Sequence, residues 1–304
     1  MPKIILGTRG SELARTQARL VEDAIQTARP DTTIETKIVT TQGDEGTILD
    51  RQTGRKGVFT AEIERALFAG DIDVAVHSAK DLPSEPSPDA EIASVLVRAV
   101  VDDMLVSKHP GGFALLPQGA VVATGSVRRM RQLVWKRADL KIVDLRGNVP
   151  TRLRRLAENH WEAIVLAQAG LERLGLSPSD NQIRFEQTQF FVETLPCENF
   201  LPAGGQGIIA LQIRADDQRT RAIVARVNHP KTLLCLRAER EFLRLLHADC
   251  SCPVGVLAII DNQTMKLKGQ LFGDQFAAPR EAEVEGVYNE GERLASQLLE
   301  ELRA

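Results

Sequence analysis

Two short stretches of the sequence bring together side chains able to do chemistry. His77-Ser78-Ala79-Lys80-Asp81-Leu82-Pro83 sets an imidazole, an ammonium and a carboxylate close together, and Asp249-Cys250-Ser251-Cys252-Pro253-Val254-Gly255 sets two thiols two positions apart. A carboxylate beside Lys80 stays ionised, because a neighbouring opposite charge favours its charged form, so Asp81 can steady a developing cation. Taken alone, the first stretch is equally an exposed turn with a surface ion pair worth about 0–1 kcal/mol, and His77 equally a satisfied histidine at a strand end. In the second stretch a thiol is either a buried structural cysteine or a covalent attachment point. No metal is expected, since four cysteines without a CxxC pair and only five histidines supply no familiar ligand spacing.

Arginine outnumbers lysine 28 to 10. Guanidinium binds carboxylate or phosphate in a fixed two-pronged geometry, so the bias points to an acidic ligand. The charge is also local: between Arg128 and Arg155 lie eight arginines and two lysines against Asp139 and Asp144. A solvated helix face would look the same. Two loops sharpen the picture, Gly125-Ser126-Val127-Arg128-Arg129 and Leu145-Arg146-Gly147-Asn148-Val149-Pro150-Thr151-Arg152, because each follows a strand and opens a helix, where the dipole is positive. Gly7-Thr8-Arg9-Gly10-Ser11 is a third such junction; Ser11 can cap the helix there, leaving free N–H groups for an anion or simply a plain loop.

The elements that position these residues follow from periodicity. Lys3 to Gly7 reads as a buried strand, and Leu13, Gln17, Leu20, Val21, Ala24, Ile25 and Ala28 recur at helical spacing. Thr33 to Thr40 alternates as a strand, Phe59 to Phe68 is helical, and Ile72 to His77 is an apolar run. The β-α-β order predicts a parallel sheet whose ligands sit beyond the strands' carboxyl ends. A second α/β unit follows the loop at Pro83 to Pro88, with strands near 120–123, 141–144 and 163–167. Gly204-Gly205-Gln206-Gly207 then leads into a strand, Ile208 to Ile213, that can return to the first sheet. From Gln218 two helices, three strands and a last helix make an α+β unit. The expected division is 1–98 with 200–218, 99–199, and 219–304.

Composition bounds the rest. Charged residues at 26% and hydrophobic ones at 43% describe a soluble globular chain. The apolar run at the N-terminus is too short for a signal peptide, and no stretch of about 18 apolar residues occurs, which predicts a cytoplasmic address and no membrane partner. A net charge of −3, aromatics at 4% and the lack of a recognition helix or stacking motif argue against a nucleic-acid partner.

At these residues the chain resembles the porphobilinogen deaminase family, also called hydroxymethylbilane synthase. The resemblance runs from the first strand to the Cys250 loop and more weakly to the C-terminus. It is carried by Thr8-Arg9, Gly43-Asp44, Lys56-Gly57-Val58-Phe59, Val76 to Pro83, Ser126-Val127-Arg128-Arg129, Leu145 to Val149, Ala169 to Gly175, and Gly205-Gln206-Gly207. It implies an α/β protein with two domains similar to type II periplasmic binding proteins, plus a smaller α+β C-terminal domain. It further implies a dipyrromethane cofactor in thioether linkage to Cys250. Four porphobilinogen molecules would be condensed on it with loss of ammonia, and hydroxymethylbilane released by water. By resemblance Asp81 is the catalytic acid. Lys80, Asp81, Ser126, Arg128, Arg129 and Arg152 would hold the cofactor, and Arg9, Ser11, Arg146, Arg152 and Arg173 the incoming substrate, in a monomer. The chain departs from the family's pattern at Ala248-Asp249, where Gly-Gly is usual, at Val100-Val101, and at Cys252. A non-catalytic anion-binding module of the periplasmic-binding-protein type is the alternative; it accounts for two lobes but not for the Cys250 loop.

Overall fold

The computed structural model describes residues 3–40, 60–85, 87–248, 252–273 and 278–304. Gly43-Asp44, Lys56 to Phe59, and Asp249-Cys250-Ser251 lie outside the described residues. The chain opens with β1 (Lys3–Arg9), α1 (Glu12–Ala28) and β2 (Thr33–Val39), followed by α2 (Ala61–Phe68), β3 (Val74–Ser78) and β4 (Ala90–Val95). Alternation along β3 divides its side chains between two faces. Val74 and Val76 pack with Val21 and Ile25 of α1, whereas Ala75 packs with Ile63 and Leu67 of α2.

A late strand, β11 (Ile209–Arg214), completes this sheet in the order β2-β1-β3-β11-β4. β1 runs parallel to β2 and β3, but β11 is antiparallel to β3 and β4. The sheet is therefore mixed, in place of the parallel sheet that β-α-β order suggests. The chain comes back from a second sheet and enters β11 from the opposite end.

That second sheet contains β5 (Asp103–Ser107), β6 (Val121–Ala123), β7 (Lys141–Val143), β8 (Ala163–Ala167), β9 (Gln182–Phe185) and β10 (Thr188–Leu195), ordered β7-β6-β8-β5-β10-β9. α3 (Val127–Lys136), α4 (Val149–Glu158) and α5 (Gln168–Arg173) follow its β6, β7 and β8. It too is mixed: β6 is parallel to β7 and β8, and β5 is antiparallel to β8 and β10.

The C-terminal part comprises α6 (Gln218–Val224), α7 (Pro230–Leu245), β12 (Val254–Asp261), β13 (Thr264–Leu271), β14 (Arg280–Val287) and α8 (Gly291–Arg303). The three strands form an antiparallel sheet whose apolar side chains share a core with Phe242 of α7 and Leu294 and Leu298 of α8. Ile223 and Val224 of α6 join the core of the first sheet instead.

The first and third sheets meet at a seam. Glu239 of α7, fully buried, accepts from Arg98 Nη1 and Nη2 (2.5 and 3.2 Å), from the Gly205 N–H (2.7 Å) and from the Ala258 N–H (2.8 Å). Such saturation is what a buried carboxylate needs, since its desolvation is otherwise uncompensated. Gly205 has φ +76°, and a Cβ there would lie 3.0 Å from the Ala79 carbonyl carbon and the Lys80 nitrogen. Only glycine lets this turn lie against the residues that carry Asp81.

Candidate active site

β3 ends in a single tight turn, Ala79–Asp81. The buried Ala79 donates its N–H to the Ile208 carbonyl at 3.0 Å, and the buried Leu82 closes the turn onto the Ala79 carbonyl. Between these anchors the Asp81 carboxylate stands exposed, beyond the carboxyl end of the strand, lining a cleft with Arg9, Ser11, Gln17, His77 and Ser78. Lys80 and Asp81 form no ion pair with each other. Lys80 is half-buried, and burial together with the Arg129 charge pushes its ammonium down to about 8, against the opposing pull of Asp81 and Asp103.

His77 is buried and neutral. Burial pushes it down to about 4, and its Nε2 meets Gln212 Oε1 at 3.0 Å. Gln212 Nε2 donates to Glu64 at 2.9 Å, so its oxygen faces His77, which must donate through Nε2. On the other side of the sheet Gln17 and Ser78 bond reciprocally at 2.8 and 3.0 Å, tying α1 to the Asp81 edge. Ser11 caps α1 as its position suggested, accepting from the Ala14 N–H at 3.3 Å.

The arginine-rich stretch divides. Arg137 pairs with Asp139, Arg154 with Glu186, and Arg155 is exposed, so these serve the surface. Arg128 and Arg129 are buried, and both face the fully buried Asp103 at the start of β5, at 2.9 and 2.7 Å. Burial would raise the Asp103 carboxyl, but the two guanidinium charges and the Gln206 amide at 2.9 Å hold it well below the usual carboxylate range. Arg128 also donates to Gln132 and the Leu201 carbonyl, each at 2.9 Å, and Arg129 to the Val165 carbonyl at 2.9 Å. Yet Nε of Arg128, Nε of Arg129, and both Nε and Nη1 of Arg131 are buried without a hydrogen-bond acceptor among the described residues. Ser126 caps α3, accepting from the Arg129 N–H at 3.4 Å.

Arg152 is half-buried on α4, with Nε on the Gly147 carbonyl at 2.7 Å. Burial and the Arg129 charge push its guanidinium down to about 10, while Asp81 opposes them, so Arg152 lies within electrostatic reach of both Arg129 and Asp81. Arg173 reaches the Gly207 carbonyl at 2.7 Å, and Arg146 is exposed beside Asp144 at 3.1 Å. Asp103, Gln206 and Gln17 were missed from sequence. Asp103 left one signal, an acid opening the apolar run Met104-Leu105-Val106, where a buried charge requires a partner. Among the described residues no cluster suited to a metal occurs, and no helix is long and apolar enough to cross a membrane.

Two family models match the chain: "Porphobilinogen deaminase, dipyromethane cofactor binding domain" over residues 4–222, and "Porphobilinogen deaminase, C-terminal domain" over residues 233–304. A porphobilinogen deaminase from Syntrophomonas wolfei is 40% identical over 313 residues, covering 99% of this chain and 96% of that protein. One from Thermus thermophilus is 40% identical over 299 residues, covering 98% and 94%. Among solved structures, the methionine binding protein MetQ superimposes with a TM-score of 0.42 at 14% identity, covering 76% of this chain and 92% of that one. The family models together take in all three sheets, and the identity extends over nearly the whole length of both chains: the chain belongs to the porphobilinogen deaminase family.

Proposed function

We propose that this porphobilinogen deaminase condenses four porphobilinogen molecules on a dipyrromethane held by Cys250, with Asp81 as the catalytic carboxylate, and then releases hydroxymethylbilane by hydrolysis. The proposed working units are 1–98 with 200–218, 99–199 and 219–304, with α6 lying against the first. The enzyme would act as a cytoplasmic monomer.

The residues present fit an acid-bearing cofactor. Buried guanidinium N–H groups on Arg128 and Arg129 lack acceptors, and Lys80 carries an ammonium that burial makes costly to keep charged. Carboxylates on the ligand would supply the missing acceptors and restore the Lys80 charge. Lys80, Asp81, Ser126, Arg128, Arg129 and Arg152 would hold it. When bound, dipyrromethane supplies the nucleophilic pyrrole carbon to which substrate units are added.

Arg9, Ser11, Arg146, Arg152 and Arg173 would orient the substrate's acetate and propionate groups. As the protonated aminomethyl group leaves as ammonia, the pyrrole becomes a cation. The Asp81 carboxylate, fixed by the anchored turn before that charge develops, stabilises it without reorganising. Asp81 then accepts the proton lost when the new carbon–carbon bond is complete. His77, neutral and engaged with Gln212, holds the sheet edge in shape instead of acting as the base.

The observation that carries this reading is that Lys80 and Arg152 lie within electrostatic reach of both the exposed Asp81 and Arg129, whose buried Nε, like that of Arg128, lacks an acceptor among the described residues. The intact mass of the denatured protein, from cells that make porphobilinogen, should exceed the chain mass by two pyrrole units. Cys250→Ser should lose that increment; an unmodified wild-type chain would reject the proposal.

A further inference from the structure

We infer that Arg131 is an additional carboxylate-binding residue, extending the anion site of α3 one turn beyond Arg128 toward the third sheet, where it takes an acid group of the growing pyrrole chain. This rests on the reading above. At 3.6 residues per turn, Arg128, Arg131 and Trp135 share one side of α3, with Gln132 beside them. That side looks toward the third sheet. Gln132 donates to Gln270 of β13 at 2.7 Å, and the Trp135 and Phe272 rings meet edge to face at 6.1 Å. Arg131 sits between these contacts, about 4.5 Å along the helix axis from Arg128.

Among the described residues no acid pairs with Arg131, and unlike Arg152 and Arg155, which also lack one but donate to the Gly147 and Arg146 carbonyls, it has no hydrogen-bond partner for its buried Nε and Nη1. Arg128 and Arg129 share Asp103, Arg137 has Asp139, Arg146 has Asp144, and Arg154 has Glu186. A surface arginine would satisfy its donors with water, but Nε and Nη1 of Arg131 are closed off from solvent and meet no acceptor among the described residues. A buried charged donor without an acceptor is costly, so the acceptor arrives with the ligand. A substrate that brings two carboxylates per unit supplies such acceptors in growing number, more than Arg128 and Arg129, already committed to Asp103, can take. The same side chain would also serve a partner loop carrying an acid, but no such acid lies among the described residues.

The full-length protein with Arg131→Gln and, separately, Arg131→Lys tests this. Denatured intact mass should show the two-pyrrole increment in both variants. After brief exposure to porphobilinogen, Arg131→Gln should show a distribution shifted to fewer added units. Its KM should rise about tenfold with kcat within twofold of wild type, and Arg131→Lys should recover most of the loss. A second arm does not depend on the increment. In a Trp161→Phe background, citrate should change Trp135 emission, and Arg131→Gln should abolish that response. Unchanged KM and chain-length distribution in Arg131→Gln, a citrate response that survives it, or failure of both variants to fold would overturn the assignment. Loss of the increment from wild type itself would instead reject the Cys250 reading.

Discussion

The two sides of the candidate site, a first wall at the Asp81 edge of the first sheet and a second at the start of α3 on the second, handle charge in opposite ways. On the first-sheet wall, Asp81 is exposed on a turn whose backbone is anchored but whose carboxylate is left open to the cleft. On the second-sheet wall, Arg128 and Arg129 are buried and share the carboxylate of Asp103. An exposed acid costs little to keep charged and can respond when a cation forms beside it. Two buried guanidinium groups side by side are costly without a counterion, so folding supplies Asp103 as a permanent one and leaves the Nε groups as spare donors. In the proposed function the first wall serves chemistry and the second recognition.

That contrast is broken most directly at Asp81. Asp81→Asn should lower kcat by about 100- to 1,000-fold, the scale of losing one fixed electrostatic group, while keeping the two-pyrrole increment and shifting stability by no more than about 0.5 kcal/mol. Ammonia release assayed beside urea unfolding checks both halves; wild-type-like release would end the assignment. Asp103→Asn should do the reverse. Stranding two buried guanidinium groups should cost about 3–5 kcal/mol in urea unfolding, since removing one partner of a buried ion pair exposes the other's desolvation. A cost near zero would mean the second wall is not pre-ordered by Asp103.

Lys80 connects the walls, and its pH dependence has a definite sign. With a folded value of about 8 below an unfolded value near 10.5, the unfolded chain binds more protons between those limits. The Lys80 contribution to the stability of the cofactor-free protein therefore becomes more favourable as pH rises through that window and least favourable below about 8. Thermal melts of wild type and Lys80→Met from about pH 7.5 to 9.5 should show the rise in wild type alone. The smallest expected effect is at Ser84, whose hydroxyl donates to the Ala248 carbonyl at 3.0 Å and so ties the Asp81 loop to the chain approaching Cys250. Ser84→Ala should cost about 1 kcal/mol in unfolding experiments, and Ser84→Thr should restore it.

The first wall was largely legible in the sequence, and the second only in outline. Asp81 follows an apolar run and precedes Pro83, so local pattern alone put it at a strand's carboxyl end. Ser11 was read as a cap from its own neighbourhood, because capping acts within one turn; the cap at Ser126 emerged only from the structure. The role of Asp103 was hidden. Its guanidinium partners, Arg128 and Arg129, lie 25 and 26 residues away, and no local rule couples them. The clustering of arginines likewise said nothing about which would turn inward. Arg137, the C-cap of α3, and Arg154, on α4, differ from Arg128 in where their element points them and in which acid happens to be near. The mixed sheets were missed for a related reason, since strand direction is set by where β11 re-enters and not by its composition.

The Gly205 turn gives the molecule a single shared bearing. It touches the Asp81 side through Ala79 and Lys80, the C-terminal part through Glu239, and the arginine side through Arg173 on the Gly207 carbonyl. In the proposed reaction, a product that shifted these parts against one another would press on this turn, where a Cβ at Gly205 would already lie 3.0 Å from the Ala79 and Lys80 backbone.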